Sequence, residues 1–286
     1  MKRLLSIAGC CFALAPWAPA QVGVELLLDQ DHFLPGESVP VGVRIVNHSG
    51  QTLHFGADDH WLDFSIEGRD GHALPAEAVL AVQGLFDVPA STAATRRIDL
   101  APGFNLSRPG VYWVTATVRV AGWDQALVSK RKSFDVIAGT TLWEADVGVP
   151  RPDGKPPEIR KYALQQAIHL KNMKLYVRVT DPSGARVIRV FPIGPLISFS
   201  RPERQIDRSS NLHVLYQTGA RSFNYSVINP DGLLLVRQTY DYTDTRPVLR
   251  VDGDGRIHVG GGARRASADD LPTPMLSPPV NDADQP

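Results

Sequence analysis

Hydrophobic and polar positions alternate along most of this chain with a period of two. Val39, Val41, Val43 and Ile45 are separated by Pro40, Gly42, Arg44 and Val46, the pattern of a strand with one face buried. Pro35-Gly36 is the turn before it, and Asn47-His48-Ser49-Gly50 closes it. Val24 to Asp29 reads as the preceding strand, and Thr52 to Phe55 opens the next. Leu62, Phe64 and Ile66 alternate again and end at Arg69-Asp70-Gly71, a hairpin-type turn. After Pro109-Gly110, the apolar positions Tyr112, Val114, Ala116, Val118 and Val120 alternate with polar ones such as Thr115, Thr117 and Arg119. Phe134 and Val136 supply a last strand. Seven or so short strands in residues 21–138 predict a β-sandwich.

A Tyr at the start of a long strand, just after a tight turn, resembles the tyrosine corner of immunoglobulin-like sandwiches. The run from Asn47 through Ser49-Gly50, Leu53, Phe55, Phe64, Ile66 and Asp70-Gly71 is similar to bacterial proteinase-inhibitor-type and macroglobulin-type Ig-like modules. That resemblance covers about a third of the chain and implies a fold more than a function.

The C-terminal half repeats itself. Arg201-Pro202, Asp207 and Leu212-His213-Val214 recur as Arg246-Pro247, Asp252 and Ile257-His258-Val259, each offset by 45. The turns Asp181-Pro182-Ser183-Gly184 and Asn229-Pro230-Asp231-Gly232 are offset by 48. Strands are predicted from Lys174 to Thr180, Arg186 to Phe191, Asn211 to Tyr216, Phe223 to Ile228, Leu233 to Tyr240, Val248 to Val251 and Ile257 to Gly260. The units fall at about 174–219 and 222–262, with traces of a third copy upstream, inside a β-domain spanning 161–263. Four-stranded units of this length resemble β-propeller blades, but two or three cannot close a ring. A compact pair of four-stranded sheets is expected, rather than an open stack or assembly with another chain. The proline-rich stretch 139–160 reads as a linker, with Leu142 to Val147 open as a final strand of the first domain or an early strand of the next, and 264–286, with Pro272, Pro274, Pro278 and Pro279, as a disordered tail. The fold class is therefore all-β.

Composition adds the compartment. Met1-Lys2-Arg3, an apolar run from Leu4 to Ala15 and Ala18-Pro19-Ala20 form a secretory signal over residues 1–20. A lipoprotein signal ending at Cys10 would leave only nine preceding residues. The apolar run is too short to span a membrane. Both cysteines, Cys10 and Cys11, lie in the signal, so the expected secreted or periplasmic chain has no disulfide and depends on its core. Residues 21–150 hold 9 basic and 16 acidic groups, residues 151–221 hold 13 and 5, and residues 222–286 hold 6 and 9. The charge thus splits as −7, +8 and −3 without the dense basic blocks of a nucleic-acid binder.

Motifs for chemistry are sparse. No nucleophile elbow, His-Glu-x-x-His helix or phosphate loop occurs, and cysteine nucleophiles are confined to the signal. No cofactor or metal is expected. His54, Asp58, Asp59 and His60 cluster in sequence but match no metal spacing, and read as a polar loop anchored by Trp61. Asp252, Asp254 and Gly255 start like a calcium loop without its downstream acid, and read as a turn. His213 and His258, at equivalent repeat positions, are candidates for a ligand or pH-sensitive pair, although packing residues of a repeat would look the same. Arg178, Arg186, Arg189, Arg201, Arg204 and Arg208 are candidates for a basic face meeting an anionic surface polymer.

The functional expectation is a secreted, non-catalytic binding or scaffold protein of the bacterial envelope, with a protein or an anionic polymer as partner. One alternative is a proteinase inhibitor using an exposed loop between Gly84 and Thr95. The other is a glycan-processing enzyme, since blade-like repeats occur in such enzymes and acidic pairs meet only in space.

Overall fold

The computed structural model describes residues 22–80, 82–151, 155–169 and 172–271. The signal at 1–20, including Cys10, and the tail beyond 271 lie outside the described residues.

The described chain is all-β. Its first half contains β1 (Val22–Leu28), β2 (His32–Phe33), β3 (Pro40–Asn47), β4 (Leu53–Phe55), β5 (Leu62–Gly68), β6 (Phe86–Val88), β7 (Thr92–Asp99), β8 (Gly110–Val118), β9 (Leu127–Val128) and β10 (Lys132–Val136). One sheet runs β1-β3-β7, and the other runs β2-β10-β8-β5 with β9 on β8. The alternation explains their facing. Val41, Val43 and Ile45 of β3, with Val114, Ala116 and Val118 of β8, point into one shared core at 0–1% exposure. Burial of these two stripes is the main stabilising term of this half. Tyr112 is buried, and its hydroxyl donates to the Arg108 carbonyl at 2.7 Å.

The second half contains β11 (Thr140–Val149), β12 (Glu158–His169), β13 (Asn172–Thr180), β14 (Val187–Pro195), β15 (Glu203–Ile206), β16 (Leu212–Gln217), β17 (Ser222–Ile228), β18 (Leu234–Asp241), β19 (Val248–Val251), β20 (Ile257–Gly260) and β21 (Ala263–Arg265). These form blade-like sheets β11-β12-β13-β14 and β15-β16-β17-β18-β21, and the short pair β19-β20. The arrangement is stacked and propeller-like. Leu212, Val214 and Tyr216 of β16 face the first sheet together with Tyr162, Leu164, Val177 and Ile193. Leu215, on the opposite face of β16, packs with Phe223, Tyr225, Val227, Leu249 and Val259 toward β19-β20. β16 is buried on both faces because it lies inside the middle layer.

Three expectations change here. The stretch 139–160 is not a linker: β11 pairs with β12 from Thr140↔Gln166 to Val149↔Glu158. Pro150, Pro156 and Pro157 lie around the end of that hairpin, where a missing N–H costs no ladder bond; residues 152–154 lie outside the described residues. The sequence units 174–219 and 222–262 each straddle two sheets, because β15-β16 pair onward with β17-β18 and not back with β13-β14. The result is two sheets plus a truncated third, an open stack in place of a closed pair. Finally, 264–271 is attached: β21 pairs with β18, Leu271 bridges Arg237, and Arg265 meets Asp241 at 2.9 Å.

One turn design recurs four times. Asp181, Asp207, Asn229 and Asp252 each begin a turn and accept backbone N–H bonds on the side-chain oxygen, at 2.9, 2.8, 2.7 and 2.8 Å from Arg186, Asn211, Leu233 and Arg256. Such Asx caps hold the chain in the reversal. The residue three further on has positive φ in each: Gly184, Ser210, Gly232 and Gly255. Ser210 is the non-glycine case at φ 63. Its Oγ donates to Gly148 at 2.7 Å and its carbonyl accepts from Tyr162 at 3.0 Å, so cross-sheet bonds offset the strained backbone.

The two halves meet through an apolar patch of Leu34, Ala167, Tyr176 and Val190, with Ile137 and Val187. Arg178 donates across it to the Pro35 carbonyl at 2.8 Å. Beside it, Glu37 is 5% exposed and accepts from Leu34 N at 2.7 Å; burial pushes its carboxyl above the ordinary range.

Candidate functional site

The stack leaves a cleft of about 560 Å³ between β16–β18 and the turn joining β19 to β20. Period-two alternation puts His213 and Tyr225 on the face of the middle sheet that looks toward this hairpin. Val227, Leu235, Ile257 and Val259 give an apolar floor. Gln238, Tyr240, Arg208, Arg256 and His258 bring polar groups around it.

A continuous hydrogen-bond chain lies in the wall. His213 Nε2 is 3.1 Å from Asp207 Oδ2, and Nδ1 is 2.7 Å from the Tyr225 hydroxyl. An ionised carboxylate has no proton to give, so Nε2 carries the hydrogen and donates to Asp207. Burial raises the pKa of Tyr225, which keeps its proton and donates to Nδ1. At Asp207, burial pushes the pKa up, but bonds from Asn211 and His213 outweigh it and hold the carboxyl below its ordinary range. Its four acceptor bonds, from Ser209 N, Asn211 N, Asn211 Nδ2 and His213 Nε2, span 2.8–3.1 Å. The imidazole is thus fixed in tautomer and orientation, and Tyr225 is polarised. Tyr240 donates to Gln238 Oε1 at 2.9 Å on the same face.

Arg208 lies against the other repeat. A Cβ at Gly255 would sit 3.0 Å from its guanidinium nitrogen, and Gly255 itself is held at φ +80, the left-handed region that favours glycine. Among the described residues, that guanidinium has no acidic partner.

Of the eight candidate residues, Arg208, His213 and His258 converge on this cleft. The equivalent histidines differ: His213 is 7% exposed, whereas His258 is exposed on the rim. Arg201 and Arg204 line another recess with Trp143, and Arg204 stacks 5.6 Å from that ring. Arg189 sits over Phe191 near the junction, Arg186 is exposed near Glu158, and Arg178 is occupied by Pro35. The expected basic face is therefore dispersed, since strand twist and the change of sheet after β14 send these arginines in different directions.

Other sequence candidates resolve into structure. Asp252 caps its own turn. His54 pairs with Asp87 at 2.7 Å while Asp58 accepts from His60 N, so that quartet does not converge. The 84–95 loop is largely strand: β6 pairs with β4, and Thr92–Thr95 with β3. Sequence reasoning missed Tyr225, Gln238 and Tyr240, which read as ordinary strand residues. Tyr225 lies on the same face of β17 as the apolar Phe223 and Val227, and nothing in that pattern marks its hydroxyl.

Fold and cleft together define an all-β protein of stacked blade-like sheets with a polar-rimmed cleft between two of them. No protein-family model matches the chain, and comparison with curated proteins gives no match. Two solved structures are similar in part. One is a family 123 glycoside hydrolase from Clostridium perfringens, an enzyme of glycolipid glycan hydrolysis, at TM-score 0.27 and 10% identity. The match covers 41% of this chain and 27% of the hydrolase, so it spans about a quarter of that protein's length. The other is Spo0M, a sporulation control protein from Bacillus subtilis, at TM-score 0.31 and 11% identity, covering 61% of this chain and 91% of that one. Likeness at this level carries no argument about function.

Proposed function

We propose that this protein is a secreted, non-catalytic binding protein of the bacterial envelope, and that the cleft at Arg208, Tyr225, Gln238, Tyr240 and His258 takes an anionic saccharide. The carrying observation is Arg208: a guanidinium without an acidic partner among the described residues, set on the rim of a cleft walled by tyrosines. Its planar fork suits a carboxylate, the Tyr240 and Tyr225 rings suit sugar faces, and the Gln238 amide suits hydroxyls. Asp207 is saturated by its own hydrogen bonds and adds little repulsion. The composition of residues 1–20 supports export, and the two-sheet first half with its Tyr112 corner supports an Ig-like module as the carrier.

Calorimetric titration of the protein with acidic and neutral polysaccharides tests this. Binding of an acidic polymer that weakens with salt and falls at least tenfold in Arg208→Ala is expected. Equal binding by Arg208→Ala, or none to any acidic polymer, removes the reading.

A second reading, glycan processing, is favoured by the Asp207–His213–Tyr225 chain, which sets a phenol as a proton donor or acceptor at the cleft. Product release from a bound polymer, lost in Tyr225→Phe while binding persists, would replace the first reading.

A further inference from the structure

The junction between the two halves holds a second cluster. β2 brings Asp31 and His32 beside Asp135, through Asp135↔His32 pairing and an Asp135 N–H bond to the Asp31 carbonyl at 2.7 Å. The end of β12 brings His169 from the other half, its ring 5.3 Å from that of His32 in an edge-on arrangement. Donor atoms of Asp31, His32 and His169 all lie within 4.8 Å of one another.

We propose that Asp31, His32 and His169 form a zinc site that fastens the two halves together. The donor set is two imidazoles and a carboxylate, which zinc accepts with bonds of roughly 2.0–2.2 Å in a tetrahedral array. Asp31 Oδ1 lies 2.6 Å from His32 Nδ1 and 3.7 Å from His169 Nε2. Tetrahedral zinc with those bond lengths spaces its ligands at roughly 3.3 Å; both Asp31 distances depart from that by less than about 1 Å, and the two histidines, their donor atoms within 4.8 Å of each other, close the site by turning their rings toward the carboxylate. The fourth position falls to water.

Two independent observations point to an occupant. His169 Nε2 is buried and has no hydrogen-bond partner among the described residues, a state that costs free energy unless something fills it. His32 Nε2 lies 3.7 Å from Asp135 Oδ2, placing a carboxylate behind the imidazole whose other nitrogen would hold the metal. At that distance the carboxylate is an electrostatic neighbour; a hydrogen bond formed on a small ring movement would fix the imidazole and raise its basicity. Lys174 is the opposing charge close to His169; the carboxylates of Asp31 and Asp135 outnumber it. Apart from the Arg178–Pro35 bond and the buried Glu37 beside it, the junction is an apolar patch, so a metal bond there would set orientation where packing mainly gives adhesion.

The test is titration of tag-free, metal-stripped protein with zinc, followed by calorimetry and thermal melting. One zinc per chain and a higher melting temperature are expected, with cobalt giving the visible absorption of a tetrahedral centre. His169→Ala and His32→Ala should each weaken binding at least tenfold. His54→Ala, which alters a histidine in a pair outside the junction, should bind as the parent does. Circular dichroism of each variant separates lost binding from lost folding; if one fails to fold, the other decides. No saturable zinc binding by the parent, or undiminished binding by a folded His169→Ala, overturns the proposal.

Discussion

Replacing Asp207 by Asn tests whether the wall of the cleft is held by a directed proton arrangement. In the parent, Oδ1 accepts from Ser209 N and Asn211 N, and Oδ2 accepts from Asn211 Nδ2 and His213 Nε2. An amide can keep the Oδ1 pair, but its NH₂ then faces two donors. Asn211 loses its acceptor. His213 can retain a bond only by moving its proton to Nδ1, which then faces the Tyr225 hydroxyl and turns that proton away. Two charge-assisted bonds are lost and one weaker bond is regained. Charged hydrogen bonds are worth about 1.5–3 kcal/mol each; discounting for Asp207's partial exposure leaves a loss of about 2 kcal/mol. In a chain of this size that lowers the melting temperature by about 4–8 °C. The sign with pH follows from linkage. The Asp207 pKa is lowered from 3.8 on folding, so its stabilisation is complete above 3.8 and disappears as pH falls through the lower folded value. The variant should lack that part of the acid sensitivity. Melting at neutral and acid pH, with nitrogen NMR of the His213 ring, reads all three effects. An unchanged melting temperature with hydrogen still on Nε2 would refute the chain.

Two other perturbations probe the scaffold. Tyr112→Phe removes the bond to the Arg108 carbonyl, and should cost about 1 kcal/mol in thermal unfolding; an unchanged melting temperature would remove the corner's structural role. Gly36→Ala places a methyl at φ +79 and 3.0 Å from Val187 across the junction. A cost of about 1–2 kcal/mol from the backbone alone, with faster proteolysis between the halves, is expected, and parental behaviour would mean the junction is loose there.

Alternation in the sequence determined the class of fold and the inward face of the strongest strands. Val41, Val43 and Ile45, or Val114, Ala116 and Val118, can satisfy a period of two only by pointing at a common core. The repeat was equally legible, because Asp or Asn opening a turn and Gly three residues on are local backbone requirements. Which hairpin pairs with which was not legible. β14 and β15 follow one another in sequence yet belong to different sheets, and no local preference encodes that break. β12, whose two Ile, one Leu and one Tyr stand among two Ala, two Gln, Glu, Arg, Lys and His, has no clear period of two and is a strand because β11 and β13 supply partners on both edges. The sites depended on the same non-local step. His213 and His258 could be matched by repeat position, but only the stacking of β19-β20 on the middle sheet made one a buried wall residue and the other a rim residue. His32 and His169 share no motif, and only the packing of the two halves brings their rings within 5.3 Å. Side-chain periodicity and turn chemistry are set by neighbours along the chain. Pairing order and site geometry are set by which surfaces the folded chain must bury.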